Sequence, residues 1–161
     1  MNIDASFVPA RMLGEGIGYG YQGKGTKIMA IVDREGLPTA VLAASNEYHE
    51  VTLVQLTLNL SVVEVGPKRL IGDKGFDSDG WDEELKKQDI EMIAPHKVTR
   101  KMKTQDGRSL RRMSRRFIVE RTFAWLKWCR RLTSRWDYYL HTFQSFIELA
   151  SINLYLKKNL R

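Results

Sequence analysis

Three acidic residues stand where local patterning would let them work together: Asp4, Asp73 and Glu120. Asp4 lies in an opening stretch, residues 1–8, where Ile3, Ala5 and Phe7 alternate with Asp4, Ser6 and Val8, the period of a strand with one apolar face. An acid is avoided there unless its face is polar or meets a cation; the plainer alternative is an exposed acid on a frayed terminus. Asp73 ends the short apolar run Arg69-Leu70-Ile71-Gly72. In open α/β sheets ligands gather at the carboxyl ends of strands, although a turn former or helix cap would look the same. Around Glu120 the spacing is helical, and Arg116, Glu120 and Lys127 fall within an arc of ~40°. Apolar residues line both flanks, Val119, Phe123 and Leu126 on one and Ile118, Trp125 and Leu132 on the other, so the helix reads as buried. A glutamate between two cations is costly to bury without compensation; as a surface stripe it would carry ion pairs of only about 0.3–0.5 kcal/mol each. Carboxylates from two strands and one helix can converge at a sheet edge. There they would hold two Mg²⁺ ions ~3.5–4 Å apart, with Mn²⁺ as a substitute, one activating a water or a 3′ hydroxyl and the other steadying the leaving oxygen of a phosphodiester.

The charge distribution points to the same kind of substrate. The chain of 161 residues carries a net charge of +7, but residues 97–135 hold 14 of its 26 basic residues and only Asp106 and Glu120 among the acids. The positive field therefore belongs to one stretch, and the rest of the chain is net acidic. Arginines dominate the stretch, and the guanidinium group grips phosphate bidentately. A polyanion is the expected partner; a solvated basic face is the bland reading. Cys129 is the only cysteine and His49, His96 and His141 are scattered, which excludes a disulfide framework and zinc-ligand spacing. No apolar run approaches the ~18 residues of a membrane span and no signal peptide is recognisable, so a cytoplasmic protein is expected.

Elements must position these residues. Beyond the opening strand, the glycine-dense stretch of residues 14–25 is expected to form an irregular hairpin-like loop. Residues 27–33 and 38–44 read as two further strands, 47–60 as a helix, 69–72 as a strand and 77–88 as a helix capped by Asp77 or Ser78. Residues 90–94 read as a last strand, 96–109 as a loop, and 110–134 and 140–158 as two long helices. The order predicts an α/β fold, a mixed sheet of about five strands with helices on both faces, in a single domain spanning 1–161. Gly18 to Lys24 fits a phosphate-loop pattern, but Gly25 replaces the required Ser or Thr. Met29, Met92 and the aromatics Tyr138, Tyr139, Phe143, Phe146 and Tyr155 are read as packing residues.

At these positions the chain resembles the DDE transposases of bacterial insertion sequences, in particular the insertion-sequence-five family. Ile3-Asp4-Ala5-Ser6 is similar to the family's first aspartate motif, and Gly23-Lys24-Gly25-Thr26-Lys27, Asp33 and Gly36-Leu37-Pro38 to its second and third strands. Asp73-Lys74-Gly75-Phe76-Asp77 matches the second aspartate motif, and Arg116, Glu120 and Lys127 fill three places of the glutamate signature, with Met113 where a tyrosine is expected. Asn46 and His49 resemble an Asn-x-x-His segment, read here as a helix cap and a surface histidine. The resemblance implies a ribonuclease-H-like core with Asp4, Asp73 and Glu120 as metal ligands and Arg116 and Lys127 on the DNA backbone; Arg112, Arg115, Arg131 and Lys24 are further candidates for DNA contact. It implies cleavage at transposon ends, strand transfer into target DNA, and a homodimer on DNA at the nucleoid. Relatives carry a DNA-binding region ahead of the first strand, which is expected to be absent from this chain. A nuclease or resolvase without strand transfer, and a catalytically idle nucleic-acid binder, are the alternatives.

Overall fold

The computed structural model describes residues 1–97 and 111–160. Its centre is a long antiparallel pair, β1 (Asn2–Pro9) and β3 (Gly23–Val32), in register from Asn2 opposite Val32 to Pro9 opposite Gly25. The outer edge of β3 is shared by β4 (Pro38–Ser45) and, beyond the point where β4 ends, by the short β2 (Gly18–Gly20). On the other side β1 meets β5 (Arg69–Ile71) in parallel, and β5 meets β6 (Glu91–Ile93) in parallel. The six strands form one mixed sheet.

Strand alternation divides the core in two. Ile3, Met29, Ile31, Ala40 and Ala44 face α1 (Val54–Asn59), its preceding 3-10 turn Glu50–Leu53, and α2 (Asp79–Lys86). Val8, Ile28, Ala30, Val32 and Ala43 face α3 (Phe117–Leu126) and α4 (Leu140–Asn159). Asp4 pairs with Ala30, so it shares the face that α3 covers. Among the described residues no helix is long and apolar enough to cross a membrane.

Five expectations are corrected. The glycine-dense stretch is no loop throughout: Gly18–Gly20 and the start of β3 pair with each other as strands, because each supplies the other's ladder hydrogen bonds. A Cβ at Gly25 would lie 2.3 Å from the Val8 carbonyl oxygen, so the close approach excludes a side chain. The helix expected over 47–60 starts three residues late as a 3-10 turn, and Asn46 is no cap, its buried amide donating instead to the Gly23 carbonyl at 2.9 Å. The long helix over 110–134 is broken into a 3-10 turn Arg111–Arg115, α3, and a 3-10 turn Arg130–Leu132. Cys129 is extended, which swings Leu132 back into the α3/α4 core and lets the Arg135 amide bond the Pro9 carbonyl at 2.9 Å. Nor is α3 buried all round: Phe117, and Trp128 just past its end, are exposed, while Arg121 lies over the Trp125 and Phe117 rings. The expected loop over 96–109 lies largely outside the described residues.

α3 is pinned in place by two bonds to the β3–β4 turn. Thr122 Oγ1 donates to the Gly36 carbonyl at 2.7 Å, and Arg121 donates to that of Glu35. Gly36 has φ +88°, a conformation open to glycine and strained for other residues. At the opposite end of the sheet Arg135 is fully buried. Its guanidinium donates to the carbonyls of Glu15, Gly16, Asp137 and Tyr138 and to Thr26 Oγ1, and stacks on Phe143. Arg135→Met should destabilise the chain by about 3 kcal/mol, since it strands several buried acceptors at once; urea denaturation checks this, and a loss under 1 kcal/mol would contradict it.

Candidate active site

β1 and β5 pair at a single point, Asn2 opposite Ile71. Two residues further along each chain stand Asp4 and Asp73, at the carboxyl end of β5 where the ladder parts. Asp73 has extended backbone, and its Oδ1 accepts the Gly75 amide at 2.7 Å, capping the 3-10 turn Lys74–Phe76. Phe76, fully buried, anchors that turn in the α1/α2 core. Asp73 is thus a turn cap, as its sequence context allowed, and also a neighbour of Asp4. Asp4 is partly buried; its Oδ1 accepts the Ala5 amide at 2.8 Å. Burial foremost, and the Asp73 charge in addition, lift its pKa above the ordinary value, against the opposing pull of the Ala5 amide and of Arg116.

Glu120 projects from α3 on the same side of the sheet. One guanidinium nitrogen, Arg116 Nη2, lies 3.2 Å from Asp4 Oδ2 and 3.6 Å from Glu120 Oε1. The two carboxylates are therefore no further apart than those two contacts laid end to end. Glu120 is largely solvent-accessible. Lys127, at the C-cap of α3, donates to the Phe7 carbonyl at 3.3 Å, which brings it to the same strand as Asp4; burial lowers its pKa. The helical stripe of Arg116, Glu120 and Lys127 thus survives intact. It does not extend to Arg131, because α3 has ended, and Arg131 pairs with Asp137 at 3.0 Å. Arg112 and Arg115 lie in the 3-10 turn that leads into Arg116, Arg115 exposed and Arg112 partly so. Lys24 sits six residues along β3 from Ala30, the partner of Asp4, roughly 20 Å away at the strand rise; the fold does not bring it to the carboxylates.

Sequence reasoning missed Glu50 and Lys27. Glu50 opens the 3-10 turn before α1. Its Oε1 lies 3.6 Å from Lys27 Nζ, which also donates to the Tyr48 carbonyl at 2.9 Å. Burial raises the Glu50 pKa, Lys27 opposes the rise, and the charges of Asp73 and Asp4 add to it. A signal existed: Lys27 has the strand parity of Met29 and Ile31, so its ammonium had to meet an anion on the α1 side.

The site suits a divalent cation on three counts. Its donors are hard carboxylate oxygens. A guanidinium already stands as a cation between Asp4 and Glu120. The missing Cβ of Gly75 leaves a recess between Asp73 Oδ1 and Glu50 Oε2 that a side chain would fill. Among the described residues, however, no three acidic, histidine or cysteine side chains are already spaced to enclose an ion. The model of the family described as "Transposase DDE domain" matches residues 2–154, nearly the whole chain. The chain belongs to the DDE transposases. Its α/β architecture is the ribonuclease-H-like fold of these enzymes, which act on DNA and use divalent metal ions. No curated protein matches the chain closely enough to count as a relative.

Burial gives this transposase a measurable pH signature. Because the Asp4 pKa is raised above 3.8 on folding, the folded chain holds that proton more tightly than the unfolded one. Its stabilising effect is present below about pH 4 and is lost as pH rises through the raised value. Metal-free Asp4→Asn should accordingly be more stable than the parent at pH 7, with the difference shrinking as pH falls towards 4. Thermal melts in chelator across that range test it, and a parent more stable than the variant at pH 7 would contradict it.

Proposed function

We propose that this chain is the catalytic domain of an insertion-sequence-five-type transposase that hydrolyses a phosphodiester at a transposon end and directs the freed 3′ hydroxyl at target DNA. The observation that carries the reading is the bridge from Asp4 through Arg116 to Glu120, with Asp73 beside Asp4. Three carboxylates far apart in sequence lie at one end of the sheet, in the order of the family's motifs. Residues 1–161 act as one domain in this reading.

Asp4, Asp73 and Glu120 would hold two Mg²⁺ ions. When bound, these supply charge neutralisation at the scissile phosphate and an activated oxygen nucleophile. The protein's own contribution is position. Asp4 sits within β1 and Asp73 just past the end of the adjacent β5, brought level by the β1/β5 register, and Glu120 rides on a helix tied to the β3–β4 turn. Placement of this kind accounts for a large share of the barrier lowering in phosphoryl chemistry. Arg116 and Lys127 flank Glu120 with positive charge and would take phosphate oxygens of the DNA backbone, Arg116 exchanging a carboxylate partner for a phosphate one. Arg112 and Arg115 extend the charge towards the rest of the substrate. Two copies would pair on two transposon ends in the cytoplasm, at the nucleoid.

Nicking of supercoiled DNA should require Mg²⁺ or Mn²⁺ and should fall at least about a hundredfold in Asp73→Asn and in Glu120→Gln. Parent-like nicking by either variant would refute the assignment. Joining of a pre-cut oligonucleotide end to a target plasmid tests the strand-transfer step separately. For Lys127→Ala, DNA affinity should drop across all sequences, with the salt dependence of binding shallower by about one counterion. An unchanged salt slope would remove Lys127 from the DNA-binding face.

A further inference from the structure

Glu50 is a half-buried carboxylate near Asp4 and Asp73 that the DDE motif does not include. It comes from a separate element, the turn before α1, and reaches the site from the α1 side of the sheet while Arg116 and Glu120 reach it from the α3 side. A Cβ built on Gly75 would lie 2.8 Å from Asp73 Oδ1 and 3.3 Å from Glu50 Oε2. The two carboxylates therefore converge over the same point of bare backbone. An ordinary surface glutamate would turn outward to water rather than face another anion in a half-buried recess. Lys27, itself largely buried, holds Glu50 from the other side through Oε1 and leaves Oε2 facing Asp73.

We propose that Glu50 is a fourth carboxylate of the divalent-cation site, facing Asp73 across Gly75 and kept in place by Lys27. The proposal rests on the reading of Asp4 and Asp73 as cation ligands. It assigns Gly75 a role as well, since any side chain there would occupy the space between the two oxygens. Lys27 serves as the positive partner that holds Glu50 in the recess. Four acidic groups around two dications leave less uncompensated positive charge than three. They also divide the work between the faces of the sheet: Glu120 closes the site over α3, and Glu50 closes it over α1.

The test is Mn²⁺ binding to the whole chain without DNA, read by the paramagnetic resonance signal of the free ion. Parent, Asp73→Asn, Glu50→Gln, Glu50→Asp and Gly75→Ala are compared. Glu50→Gln and Gly75→Ala should each weaken binding by roughly ten- to a hundredfold, the usual effect of losing a group that supports a metal site. Glu50→Asp should recover part of the loss. Because Glu50→Gln leaves Lys27 without its carboxylate partner, the double variant Glu50→Gln/Lys27→Met keeps the test valid if the single variant folds poorly, and it should bind as weakly. Loss of binding in Asp73→Asn with parent-like binding in the Glu50 variants overturns the role of Glu50 alone. Parent-like binding in Asp73→Asn overturns the underlying site, whatever Glu50 does.

Discussion

Negative charge gathered at the open end of a sheet is the constraint to which the rest of this molecule answers. Asp4, Asp73 and Glu50 are brought close enough for their charges to act on one another, and two of them are partly withdrawn from water. Such an arrangement repels itself unless cations are built in or supplied. The protein builds in two. Arg116 spans Asp4 and Glu120 on one face, and Lys27 meets Glu50 on the other. Lys27 is largely buried and Arg116 partly so, and both are attached through long, rotatable side chains. The carboxylates are thus held in place by cations of the chain itself.

The scaffold keeps these groups in reach through few, well-placed contacts. Asp4 is fixed by the β1/β3 ladder, the most extensive pairing in the sheet. Asp73 is fixed by the brief parallel meeting of β1 and β5, by its own cap on Gly75, and by Phe76 sunk into the core behind it. Glu120 depends on the docking of α3, which Thr122 and Arg121 tie to the backbone of the β3–β4 turn. Arg135 secures the far end, joining the segment after α3 to the glycine-rich β2 region. Its work is structural, although in sequence it is one more arginine in a basic run.

That arginine shows where sequence reading reaches its limit. Residues 97–135 look uniformly suited to a polyanion, yet the fold spends Arg135 on buried carbonyls, Arg131 on Asp137 and Arg121 on aromatic faces. Charge is a property of a residue type; which atom it meets depends on where the helix stops. The apolar period continues past Leu126, so nothing local announced the break at Cys129. It follows from Leu132 and Arg135 having to return to the sheet. The glycine-rich stretch misled in the opposite sense, since its low intrinsic preference for strand was overridden by the pairing of β2 with the start of β3.

The sequence by itself determined the order of the main strands and helices other than β2, the mixed α/β class, the candidate acids at Asp4, Asp73 and Glu120, and the helical spacing of Arg116, Glu120 and Lys127. Each follows from a short-range period or from a motif a few residues long. Only the tertiary structure decided that Arg116 bridges Asp4 and Glu120, that Lys24 and Arg131 lie apart from them, and that Glu50 with Lys27 joins from the opposite face. Those relations connect residues up to 112 positions apart. They arise from strand register and helix docking, which place distant side chains together and leave only a faint trace in the local pattern, such as the strand parity of Lys27 with Met29 and Ile31.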